Sequence, residues 1–121
     1  MSTALAHTRV GHGPLGIALL HGVGGGRRIW GEEAGGTAVT LAAAGCRVIA
    51  LDLPGYGDSP LPAELSTAAM ADAVVDTLRA LDARPAVLLG HSMGGMVAQE
   101  IAARDPGAVR ALVLAGTSPA F

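Results

Sequence analysis

Lysine and asparagine are absent from this chain, cysteine occurs once, and aromatic residues make up only 2% of its 121 positions. Each shortage excludes something. Without lysine, all eight positive charges are arginines, set against ten acids for a net charge of −2. The charges are interspersed and form no basic stripe, which argues against nucleic acid as a partner. One cysteine, Cys46, cannot form an internal disulfide or a cysteine-rich metal site. Its neighbours, AAAG before and RVIAL after, read as a small core residue entering a strand. No apolar run approaches the roughly 18–20 residues of a membrane-spanning helix. The start, MSTALAHTRVGHG, lacks a basic stretch followed by an apolar one, so no secretory signal is visible and a cytoplasmic setting is expected.

What is present is apolar and regularly spaced. Hydrophobic residues make up 50% of the chain and charged residues 15%, with a mean hydropathy of +0.47. Strands buried on both faces have this composition, as does a piece of a larger core. GIALL (16–20), RVIAL (47–51), AVLLG (86–90) and ALVLA (111–115) are such runs, each bounded by glycine, proline or charge. TALAHTRVG is less apolar and reads as an edge strand. Between the runs lie helical patterns. Met70, Val74, Leu78 and Leu81 share a face over 66–83, where Ser66 is a candidate N-cap and Pro85 a candidate stop. Met93, Met96, Val97 and Ile101 form a stripe over 93–104, and Thr37 to Ala44 is a shorter helix ended by Gly45. Strand–helix alternation predicts an α/β domain with a mostly parallel sheet and flanking helices, without an internal repeat or linker.

The stretch LLGHSMGG (88–95) places Ser92 on the turn between a buried strand and a helix. A turn that sharp crowds the residues two before and two after the serine, and both, Gly90 and Gly94, lack side chains. Gly95 is expected to let the helix approach the sheet. The serine oxygen then stands near a helix N-terminus, where backbone N–H groups and the helix dipole favour negative charge. This is the G-x-S-x-G nucleophile elbow in its strand–turn–helix context. HGVGGG (21–26) follows another buried strand. An acyl-transfer serine needs two N–H donors for its oxyanion, and Met93 N–H and Val23 N–H are the candidates.

Together ALLHGVGGGRRIW, RVIALDLPGYGDSP, LLGHSMGG and VRALVLAGTSP resemble the α/β-hydrolase family over the whole chain. The resemblance implies residues 1–121 as the N-terminal part of a single hydrolase core, without the cap and C-terminal part. It implies a small-molecule acyl substrate (a carboxylic ester, lactone or related compound), an acyl-enzyme on Ser92, and no cofactor or metal. A serine at the elbow disfavours the family's dehalogenase and epoxide-hydrolase branches, which use a carboxylate there. The cofactor-free haloperoxidase and C–C bond hydrolase branches share these motifs and stay open.

Other motifs have plainer readings. GHGPLG (11–16) matches a dinucleotide fingerprint by letters, but it precedes a strand and contains Pro14, so it reads as a turn. Asp52 and Asp58 in LDLPGYGDS are assigned to loop hydrogen bonding rather than catalysis. His21 is assigned a structural role, His91 projects away from its neighbour's hydroxyl, and nothing places His7 or His12 near Ser92. Trp30 either lines a pocket beside the oxyanion loop or covers core.

The family's order is serine, then acid, then histidine. Here no acid follows Asp105 and no histidine follows His91. The expectation is negligible turnover by these residues alone. By the same resemblance ALVLA becomes an exposed apolar edge, so self-association through it is the expected non-enzymatic alternative.

Overall fold

In a computed structural model, residues 4–31 and 35–119 are described. Thr3, at the start of the expected edge strand, lies outside them. The elements follow the predicted alternation. They are β1 (His7–Val10), β2 (Leu15–Leu20), a 3-10 turn (Arg27–Trp30), α1 (Thr37–Ala43), β3 (Cys46–Leu51), α2 (Thr67–Ala80), β4 (Ala86–His91), α3 (Met93–Arg104), a second 3-10 turn (Pro106–Ala108) and β5 (Val109–Ala115).

The strands form one sheet in the order β1-β3-β2-β4-β5. β2 runs parallel to β3 and β4, and β4 runs parallel to β5. β1 alone is antiparallel, pairing His7 with Leu51 at one edge. Because side chains alternate along a strand, the central strands feed two cores. Ala18, Leu20, Ile49, Leu51 and Leu88 join a large cluster with α2 and α3. Ile17, Leu19, Val48 and Ala50 join a smaller one under α1. Burial on both faces explains why these runs are continuously apolar rather than alternating.

Local signals set most helix ends. Ser66 caps α2 as expected, its Oγ accepting from Ala69 N–H at 3.0 Å. Gly45, at φ +99°, closes α1 with its N–H on the Ala42 carbonyl. The far end of α2 differs from the sequence expectation. The helix stops at Ala80, short of 83, and Pro85 is not what stops it. Asp82 turns left-handed at φ 53°, Ala83 N–H bonds the Leu78 carbonyl, and Asp82 N–H bonds that of Arg79. This is a Schellman-type ending, with aspartate where glycine is usual.

Candidate active site

Ser92 is the single residue between β4 and α3. Its backbone has φ 54° and ψ −117°, a sparsely populated conformation for a residue with a Cβ. Such a residue costs about 1–3 kcal/mol and persists only where its surroundings hold it. The elbow glycines show how tight those surroundings are. A Cβ on Gly90 would lie 2.5 Å from the Gly94 carbonyl oxygen, and one on Gly94 would lie 2.1 Å from that of Leu20 on β2. Gly94 therefore lets α3 approach the sheet. Gly95, expected to do so, instead makes room for Thr117, whose Oγ1 would be 2.5 Å from an added Cβ.

The backbone of Ser92 is fully engaged and its hydroxyl is not. Ser92 N–H donates to the Ala115 carbonyl at 3.0 Å, and its carbonyl accepts from the Gly95 and Met96 N–H groups and the Thr117 hydroxyl. Among the described residues Ser92 Oγ has no hydrogen-bond partner. It opens on a cleft of about 310 Å³ lined by Ser92, Met96, Gly116, Thr117 and Ser118. Met93, at the first helical position, has no carbonyl within the helix to receive its N–H.

The loop after β2 lies directly against the serine. A Cβ on Gly22 would be 3.1 Å from Ser92 Cβ. The Gly22 carbonyl is held by two donors, Gly25 N–H at 3.1 Å and His21 Nδ1 at 2.8 Å. The peptide is planar and trans, so Val23 N–H must point the opposite way from that carbonyl. Val23 is 64% exposed.

His21 is structural, as expected, and completely buried. Its Nε2 accepts Leu53 N–H at 3.0 Å, so the proton sits on Nδ1 and goes to Gly22. Burial pushes its pKa below the ordinary 6.5; the Gly22 carbonyl and the Asp52 charge offset this only in part. Tyr56 meets the His21 ring edge-on at 5.1 Å and directs its hydroxyl towards Met93 Sδ at 3.9 Å.

Asp52 anchors the neighbouring loop, again as expected. It accepts Arg27 N–H at 2.6 Å and Asp58 N–H at 2.9 Å, and it pairs with the Arg27 guanidinium. Burial alone would raise its pKa. The two N–H donors and the arginine together outweigh burial and hold the carboxyl below its usual range. Arg27, unnoticed in the sequence, also pairs with Asp58 at 3.1 Å. A depression of about 380 Å³ lies here, larger than the serine cleft. Of its charged side chains Arg27, Asp52 and Asp58 are already paired with one another, and no serine, cysteine or threonine lines it.

Three residues fall elsewhere. Trp30 packs with Ile17, Leu19 and Val48 in the smaller core, so the core reading is the one observed. His12 precedes β2 and Asp105 follows α3, at the end of the sheet opposite Ser92. Asp105 is occupied with Arg84. The His91 ring stands beside Gly22 and Gly116. Among the described residues no histidine or carboxylate is hydrogen-bonded to Ser92 Oγ. Nor is any group of three or more His, Cys, Asp or Glu placed to hold a metal ion. No described helix is long and apolar enough to cross a membrane.

The chain is 41% identical over 115 residues to a pimeloyl-[acyl-carrier protein] methyl ester esterase of Chromobacterium violaceum, covering 93% of this chain and 40% of that protein. It is 39% identical to the corresponding Methylococcus capsulatus esterase, covering 92% and 40%. Among solved structures, Est816, described as an N-acyl homoserine lactone degrading enzyme, superposes with a TM-score of 0.82 at 30% identity, covering 93% of this chain and 42% of that one. BpoC of Mycobacterium tuberculosis H37Rv, whose name assigns it as a candidate non-heme bromoperoxidase, superposes at 0.88 and 30% identity, covering 100% and 44%. The chain thus spans about 40% of the length of these curated relatives. Residues 17–121 match the model of the alpha/beta hydrolase fold, and the chain belongs to that family.

Proposed function

We propose that this chain carries the nucleophile and oxyanion half of a serine esterase acting on carboxylic esters. The observation that carries the proposal is the strained backbone of Ser92, with the loop after β2 packed against it and its hydroxyl open to a cleft. In this reading Ser92 Oγ attacks the ester carbonyl. The N–H groups of Val23 and Met93 receive the developing oxyanion, the alcohol leaves, and water releases the acyl group. Helix position supports Met93, and the orientation of the Gly22–Val23 peptide supports Val23. The relatives named as methyl ester esterases make small carboxylic esters the class to test first. The free Cys46 suits a reducing, cytoplasmic setting.

A serine needs a histidine to take its proton and an acid to hold that histidine. In this proposal both come from outside these 121 residues, from further chain or another subunit. Without them, oxyanion binding leaves only a residual ~10³–10⁴-fold advantage over water. Intact mass before and after a fluorophosphonate tests the nucleophile. One adduct, lost in Ser92→Ala, is the expected result when a base reaches the site. An adduct that persists in Ser92→Ala overturns the assignment. Ester hydrolysis by the 121 residues alone, abolished by Ser92→Ala, would refute the expected lack of turnover while confirming the serine.

A second reading is favoured by β5, which closes the sheet with Val113 48% and Leu114 42% exposed. Pairing of this edge with another chain would give an assembly independent of Ser92 chemistry. Light scattering on the wild type and Ser92→Ala tests it; a monomer with a cooperative melt counts against it.

A further inference from the structure

Both backbone polar groups of Ser92 are held by one short segment, residues 115–117. The Ala115 carbonyl takes the Ser92 N–H at 3.0 Å, and the Thr117 hydroxyl donates to the Ser92 carbonyl at 2.6 Å. The second bond lies within the ordinary O–H···O range, towards its short end. From it we infer that Thr117 is a positioning residue for Ser92, fixing the peptide that follows the serine and so the direction of its Oγ. The functional meaning of this clamp rests on the reading of Ser92 as nucleophile; the clamp itself does not.

Three observations support the assignment. The Ser92 carbonyl also accepts the Gly95 and Met96 N–H groups at 3.0 and 3.3 Å, so the hydroxyl competes for an acceptor that the first turn of α3 already uses. A donor from outside the helix is not needed to satisfy that carbonyl; its effect is to restrain it. Next, Thr117 reaches the carbonyl only because residue 95 is glycine. An added Cβ there would lie 2.5 Å from Thr117 Oγ1 and 2.6 Å from both its Cβ and its Cγ2. Gly95 and Thr117 are therefore a matched pair, which accounts for the second glycine of HSMGG. Finally, the clamp is itself held. Gln99 Nε2, one turn along α3 from Gly95, donates to the Gly95 and Ser118 carbonyls at 3.1 and 3.0 Å. The left-handed Ser92 needs restraint from its surroundings, and a rigid donor from the segment after β5 provides it.

The same segment borders the serine cleft. Gly116, Thr117 and Ser118 form its wall opposite α3, so the segment that orients the serine also bounds the space where an acyl group would sit.

The test is nuclear magnetic resonance on the wild type, Thr117→Val and Thr117→Ser. Valine keeps the branched shape and loses the donor, whereas serine keeps the donor. In the wild type the Thr117 hydroxyl proton is expected to exchange slowly enough to be observed, with a contact to the first turn of α3. Thr117→Val should shift the Ser92 carbonyl carbon and speed amide exchange at Ser92, Gly95 and Met96 by about tenfold or more. Thr117→Ser should restore both to within about threefold. Gly95→Ala should reproduce the valine effect with Thr117 intact. An unprotected hydroxyl in the wild type overturns the proposal, and that measurement needs no variant to fold. Valine and serine variants with the same carbonyl shift and exchange also overturn it. Ser92→Ala retains the backbone carbonyl and should keep the clamp signature. A fluorophosphonate adduct that persists in Ser92→Ala would thus overturn the nucleophile and leave the clamp standing.

Discussion

The two flanks of Ser92 are built differently. On the β2–β3 side the loops are closed by buried polar groups that satisfy one another: His21 between Gly22 and Leu53, and Asp52 among Arg27, Asp58 and their N–H groups. On the β4–β5 side the outer strand carries exposed Val113 and Leu114, and the serine is held from the segment just beyond it. One flank completes its own interactions; the other presents an uncovered apolar edge. The serine stands between them, with the loop after β2 packed against it on one side and its backbone restraint on the other. Stability and site geometry should therefore respond differently to changes on the two flanks.

The largest effect should come from Asp52→Ala. It strands the N–H groups of Arg27 and Asp58 and leaves the Arg27 guanidinium only Asp58 and Thr8, a loss of about 3 kcal/mol, read as a fall in the urea midpoint. A change below about 1 kcal/mol would mean that the finished flank is not held by this network. Gly94→Ala comes next. Its Cβ would strike the Leu20 carbonyl of β2, and about 1–3 kcal/mol of overpacking is expected, with crystallography showing α3 displaced from the sheet.

Acid supplies a third, graded test. The folded-state pKa of His21 lies below its unfolded value, so the folded protein binds fewer protons than the unfolded one. Its contribution is complete above pH ~6.5 and is lost as pH falls below that, by up to about 1.4 kcal/mol per pH unit. The lowered carboxyl of Asp52 has the same sign and adds to the loss below about pH 4. Urea midpoints measured between pH 8 and pH 5 should be flat and then decline, and His21→Gln should remove most of the decline above pH 5. The smallest effect belongs to the open flank. Val113→Lys should change stability by no more than about 0.5 kcal/mol, because the side chain is half exposed. The same substitution should dissolve any assembly that pairs through β5.

Much of the fold is readable along the chain. The four apolar runs, the Ser66 cap, the Gly45 stop and α3 from Met93 to Arg104 all depend on residues within a turn or two of one another. The elbow is equally legible, since Gly90, Ser92 and Gly94 are a local steric pattern. What escaped is non-local. Arg27 reaches Asp52 across 25 positions, and Thr117 reaches Ser92 across another 25, with no spacing to betray either. Trp30 offered two readings because its partners, Ile17 and Val48, come from different strands. The end of α2 differs from the sequence expectation because Asp82 adopts a left-handed turn that aspartate takes only occasionally, while Pro85 is the stronger local signal.

The sequence alone determined the alternation of strands and helices, the two-faced burial of the central sheet and the place of the serine. Each follows from periodicity, capping and steric crowding between near neighbours. Only the tertiary structure decided which loops meet at that serine, which charges neutralise one another and what holds its backbone in a costly conformation. Those are contacts between segments far apart in the chain, and their energies exist only once the sheet has brought the segments together.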